Sequence, residues 1–129
     1  QIVIAFFFRG IPVMEQGIDL HGASAIIEKD LSSGLLAEEL NADTLLILTS
    51  VEKVSLNLGQ DNEEYLDTIT VDEAKKYMDE NQFAPGSMLP KVQAAMDFAS
   101  SKPERTAMIT LLEKAKDGIL GKTGTRIHM

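Results

Sequence analysis

Lys29 and Asp30 stand side by side where a glycine-marked, extended stretch gives way to apolar residues at helical spacing. A lysine at such a junction can neutralise charge that builds on a transferring phosphoryl group. The adjacent carboxylate can fix that lysine or hold a magnesium ion. The ordinary alternative is a helix cap, since an aspartate commonly precedes an apolar helical run, here Leu31, Leu35, Leu36 and Leu40. A second candidate is Gly86-Ser87-Met88-Leu89-Pro90-Lys91. Glycine allows close backbone approach, the free amides of a helix start attract phosphate oxygens, and Lys91 adds a mobile positive charge. Its bland reading is a loop and helix start, with Pro90 tolerated in the first turn and an exposed lysine. The third is the strand end Leu48-Thr49-Ser50-Val51, whose backbone and hydroxyls could border an adenine or a phosphate. His21 and His128 lack any ligand spacing and no residue set is assigned to a metal; both read as surface residues. No Ser/His/Asp or Cys/His arrangement is present, and the methionines read as core filler.

These residues need elements to carry them. Residues 2–8 form a short continuous apolar run that reads as a buried strand, and residues 11–27 as a hairpin around Glu15-Gln16-Gly17. Asp30 then caps a helix that Asn41-Ala42-Asp43 terminates. Residues 44–49 and 106–111 read as buried strands, and residues 55–68 as an irregular exposed excursion. Thr70-Val71-Asp72-Glu73 is a capping box that opens a helix running to about Glu80. A further helix begins just after Gly86 and Ser87, with Val92, Ala95, Met96 and Ala99 on its apolar face. Residues 112–120 read as a short helix, 121–124 as a turn and 125–129 as a closing segment. Strands alternating with helices predict a three-layer α/β/α sandwich around a mostly parallel open sheet.

Composition sets the outer bounds. A chain of 129 residues is the size of one domain, and its hydrophobic and charged fractions, 44% and 25%, are those of an ordinary globular protein. A net charge of -8 argues against nonspecific binding to nucleic acid or an anionic membrane, but a few local lysines can still hold one phosphate chain. No apolar run approaches the ~20 residues that span a bilayer. The absence of cysteine rules out a disulfide framework and thiolate metal sites, and fits a reducing cytoplasm. Because Gln1 already lies within an apolar run, the chain is expected to begin partway through a larger protein.

Taken in order, Gly10-Ile11-Pro12-Val13, Ile27-Glu28-Lys29-Asp30, Asn41-Ala42-Asp43 with Ile47-Leu48-Thr49, Ala84 through Val92, and Gly124-Thr125-Arg126-Ile127 resemble the carbamate kinases of the amino-acid-kinase superfamily. The resemblance runs over essentially the whole chain and matches the carboxyl-terminal, nucleotide-binding half. It implies an amino-acid-kinase-like fold and phosphoryl transfer between carbamoyl phosphate and ADP, giving ATP and carbamate with Mg2+, usually in fermentative arginine breakdown by a cytoplasmic homodimer. It also implies that Lys29 and Lys91 are charge-stabilising lysines, with Asp30 organising them. Thr49, Ser50, Val51, Val54 and Ser55, together with Gly86, Ser87, Met88, Pro90 and Lys91, would border the nucleotide.

The sequence departs from the family's pattern at three places. Phe6-Phe7-Phe8-Arg9 replaces a run of glycines, Ser50 stands where aspartate is usual, and Ser55 where an aromatic residue is common. With the family's amino-terminal half absent, the chain alone is expected to bind nucleotide weakly or not at all. Two other readings stay open: a catalytically silent interaction module of the same fold, and a sister kinase acting on an amino acid or a nucleoside monophosphate.

Overall fold

A computed structural model describes residues 13–22 and 29–129. The strand expected at residues 2–8 and the outer ends of the expected hairpin lie outside the described residues. The hairpin's centre is present: β1 (Val13–Gln16) pairs antiparallel with β2 (Asp19–Gly22), and Gly17 takes the left-handed φ of +68° that the turn demands.

Helix α1 (Lys29–Glu39) already includes Lys29, two residues before the Leu31 at which a cap at Asp30 would start it. Asp30 is therefore a first-turn residue, where a carboxylate faces the positive end of the helix dipole. The helix stops at Asn41, whose φ of +51° turns the chain out of the helix. Asn41 N–H then donates to the Glu38 carbonyl and Ala42 N–H to that of Ala37, both at 2.9 Å, satisfying carbonyls that the helix leaves open.

β3 (Thr44–Thr49) follows, at the expected bounds. The excursion after it is more ordered than its composition predicts. β4 (Ser55–Leu56) and β5 (Glu64–Tyr65) form a short antiparallel ribbon, and β6 (Thr68–Thr70) is a further strand. Strands this short give no periodicity to read; pairing creates them. Helix α2 (Val71–Asp79) opens on the expected capping box: Thr70 Oγ1 accepts from Glu73 N–H at 3.2 Å, and the Glu73 carboxylate accepts from Thr70 N–H at 2.8 Å. Helix α3 (Met88–Ser101) begins where Gly86 and Ser87 predict. After β7 (Thr106–Leu111), the expected helix divides into a 3-10 turn, Leu112–Lys114, and α4 (Ala115–Ile119). The closing segment is strand β8 (Thr125–His128).

The main sheet runs β3-β7-β8-β6; β3 is parallel to β7 and β6 to β8, while β8 lies antiparallel to β7. Successive side chains on a strand point to opposite faces. Leu45, Ile47, Ala107 and Ile109 enter the core with Val92, Ala95, Phe98 and Ala99 of α3. Thr110 and Leu46, on the other face, meet Gly118 of α4, where an added Cβ would lie 2.8 Å from Thr110 Cγ2. Helices thus flank a mostly parallel sheet on both sides, as the alternation of elements predicts.

Candidate functional site

The loop leaving β3 is held from below by threonines. Thr110 Oγ1 donates to the Glu52 carbonyl at 3.2 Å. Thr125, fully buried, donates to the Leu66 carbonyl at 2.5 Å and accepts from Val54 N–H at 2.8 Å. Leu66 N–H in turn donates to the Val54 carbonyl at 2.8 Å. Polar groups buried this way are stable only when paired, and these hydroxyls fix the path of residues 50–54 at the carboxyl end of β3.

On the next wall, α1 and α3 pack closely. Gly34 is buried, and a Cβ there would sit 3.4 Å from the Ala94 carbonyl oxygen and 3.6 Å from its Cβ. One turn towards the amino end of each helix, Lys91 Nζ donates to Asp30 Oδ2 at 3.1 Å. The two side chains are only 15% and 12% exposed, so the pair is largely withdrawn from water. Lys29, the preceding residue, is exposed. A third wall comes from the β4–β5 ribbon. Gln82, ahead of α3, accepts from Asn57 N–H at 2.9 Å and donates to Asn57 Oδ1 at 3.3 Å, tying the ribbon to the α2–α3 connection.

These walls enclose a cleft of about 1330 Å³. The structure brings together there Lys29, Asp30 and Lys91, Thr49, Ser50, Val51 and Ser55, and Gly86, Ser87 and Met88. Val54 and Pro90 do not line it: Val54 is buried beneath the loop, held by Thr125, and Pro90 is half-buried in the first turn of α3. Sequence reasoning missed the rest of the wall. Leu58 and Tyr65 come from the ribbon region, Gln82, Phe83 and Ala84 from the α2–α3 connection, and Asp117, Lys122 and Thr123 from the region of α4 and the turn after it. Only the glycine-flanked Lys122, between Gly121 and Gly124, carries a local signal that could have marked it.

Lysines 29, 53, 91 and 122 line the cleft together with Asp30, Glu52, Glu63 and Asp117. Lys53 hydrogen-bonds to Asp67, which holds its ammonium pKa above the ordinary value. The cleft therefore offers cations for a chain of phosphates and carboxylate oxygens for a hard cation, beside apolar side chains at Leu58, Phe83 and Met88. Among the described residues, no helix is long and apolar enough to cross a membrane.

Comparison with known proteins bears on the family and the fold. The profile of the amino acid kinase family matches residues 3–110. The carbamate kinase-like protein YqeA of Escherichia coli is 54% identical over 98% of this chain, and the carbamate kinase of Staphylococcus haemolyticus 47% identical over 98%. Each match covers 41% of the relative, so the chain spans about two fifths of the length of these proteins. Among solved structures, carbamate kinase from Giardia lamblia bound to AMP-PNP superposes with a TM-score of 0.88 at 39% identity, over 92% of this chain and 41% of that one. The chain belongs to the amino acid kinase family, and within it resembles the carbamate kinases along its length.

Proposed function

We propose that this chain is the nucleotide-binding portion of a carbamate kinase, carrying the ADP and ATP side of phosphoryl transfer between carbamoyl phosphate and ADP. The observation that carries this reading is the Lys91–Asp30 pair at 3.1 Å, next in sequence to Lys29, in a cleft at the carboxyl end of β3. Phosphoryl transfer asks a protein for little covalent chemistry; positioning and neutralisation of charge supply most of the acceleration. Lys91 and Lys29 stabilise negative charge on the transferring group. Asp30 orients Lys91 and keeps its ammonium from swinging into solvent. The backbone of Gly86 and Ser87, at the start of α3, borders the phosphates, while Thr49, Ser50, Val51 and Ser55 border the nucleotide from the β3 side.

Magnesium binds chiefly through nucleotide phosphates and one or two carboxylates, and it neutralises phosphate charge. Asp30, Glu52 and Asp117 are the cleft carboxylates suited to it. A cytoplasmic homodimer that takes up carbamoyl phosphate through a further region of the protein completes the proposal.

The test joins this chain to the amino-terminal region of the Staphylococcus haemolyticus carbamate kinase and measures ATP formation from ADP and carbamoyl phosphate. The joined protein is expected to form ATP, to lose that activity on Lys91→Ala, and to show none with an amino acid or a nucleoside monophosphate as phosphoryl acceptor. ATP formation that survives Lys91→Ala would overturn the assignment.

A further inference from the structure

The proposed reading gives no role to Lys53 or Lys122, and Lys53 is already paired with Asp67. Lys122 lies on the cleft wall, 31 positions beyond Lys91 and in a different part of the fold. Two devices fix the turn that carries it. Gly121 adopts a left-handed φ of +72°, and its N–H donates to the Gly118 carbonyl at 2.9 Å while Lys122 N–H donates to the Asp117 carbonyl at 2.8 Å, so the end of α4 is closed by hydrogen bonds on either side of the turn. Thr123 Oγ1 then donates to the Glu52 carboxylate, stapling this turn to the loop that leaves β3. The staple joins two segments 71 residues apart, and both line the cleft.

Charge accounting gives the turn a purpose. Lys91 is paired with Asp30 and Lys53 with Asp67. Among the described residues, Lys29 and Lys122 are the cleft lysines that make no ion pair. A nucleoside diphosphate carries more negative charge than Lys29 and a Lys91 already committed to Asp30 can balance, and an exposed lysine on a fixed turn answers it with little rearrangement.

Building on the proposed nucleotide site, we infer that Lys122 is a third cationic contact for the polyphosphate chain, held in place by the Thr123–Glu52 bond. It contributes to binding in proportion to the phosphates present, so it separates diphosphate from monophosphate and leaves the nucleoside untouched. Thr123 is a positioning residue, acting through the turn it anchors.

NMR titration of the 129-residue chain with MgADP, AMP and adenosine tests this, because chemical shifts register weak binding that other methods miss. Lys122→Met keeps the aliphatic stem and removes the charge. It is expected to weaken MgADP binding about fivefold, the upper range for an exposed charge pair, with adenosine unchanged and AMP affected less than ADP. Thr123→Val is expected to shift affinities in the same order by a smaller amount. Unchanged MgADP affinity in Lys122→Met, with weakened binding in Lys91→Met, would overturn this inference and leave the nucleotide site standing. Equal losses for all three ligands would overturn it as well. If MgADP moves no cleft resonance either in the unaltered chain or in the same chain joined to the amino-terminal region as above, the nucleotide reading itself fails and the role of Lys122 falls with it.

Discussion

Lys91 and Asp30, 61 residues apart in sequence, meet at 3.1 Å where the first turns of α3 and α1 come together. A pair so withdrawn from water is favourable only while both members are present, because a lysine left there without its carboxylate carries an uncompensated desolvation cost. Asp30→Ala is therefore expected to destabilise the chain by about 2 kcal/mol, below the range for fully buried pairs because the cleft is wet. Asp30→Ala/Lys91→Met should recover part of that loss. Urea denaturation of the two single variants and the double variant measures it, and additive losses would show that the pair does not couple.

Helix spacing sets that distance. With the Ala94 carbonyl 3.4 Å from where a Gly34 Cβ would be, Gly34→Ala asks for a small adjustment, whereas Gly34→Leu must push α1 from α3. The leucine variant should lose about 1–3 kcal/mol of stability and weaken nucleotide binding more than the alanine variant does. A leucine variant that binds MgADP like the parent chain would show that the helix crossing does not govern the site.

Beneath the cleft, Thr125→Val replaces a buried hydroxyl by a methyl group of similar shape. It leaves Val54 N–H and the Leu66 carbonyl each short of a partner. The expected cost is about 1–3 kcal/mol. Amide hydrogen exchange should quicken first at Val54, and uniform quickening across the sheet would argue against a local clamp.

The capping box of α2 gives a pH signature. The hydrogen bond from the Thr70 backbone, and then that from its hydroxyl, holds the Glu73 carboxyl below its ordinary value of 4.5. A carboxylate with a depressed folded pKa stabilises the fold above its ordinary value, and that contribution is lost as pH falls through the depressed one. The stability difference between the chain and Glu73→Gln should hold steady near neutrality and shrink on acidification below 4.5. Thr70→Ala should cost about 1 kcal/mol near neutral pH, read as a lower Tm.

The sequence made the long elements legible and the cleft only in part. β3 and β7 are apolar runs too continuous to be anything but covered strands, and Thr70 with Glu73 is a local chemical signature that needs no tertiary context. β6 has three residues and the β4–β5 ribbon two on each side, so nothing periodic announced them; pairing with β8, or with each other, makes them strands. Lys29, Asp30 and Lys91 could be singled out because each stands beside a recognisable junction. Tyr65, Gln82 and Lys122 reach the same cleft from separate segments, and that convergence is a property of the fold rather than of any stretch of chain. Val54 shows the reverse: the family resemblance put it beside the nucleotide, but strand and loop geometry turned its side chain inward.

The central claim is that Lys29 and Lys91 receive the same polyphosphate, and lysine footprinting with an amine-acylating reagent, followed by mass spectrometry, tests it most directly. With MgADP present, labelling of Lys29 should slow markedly and that of Lys91 should slow with it, while Lys75 and Lys116, which do not line the cleft, label as before. If the nucleotide binds and Lys29 and Lys91 label at the rates seen without it, the phosphates lie elsewhere and the proposed site is wrong.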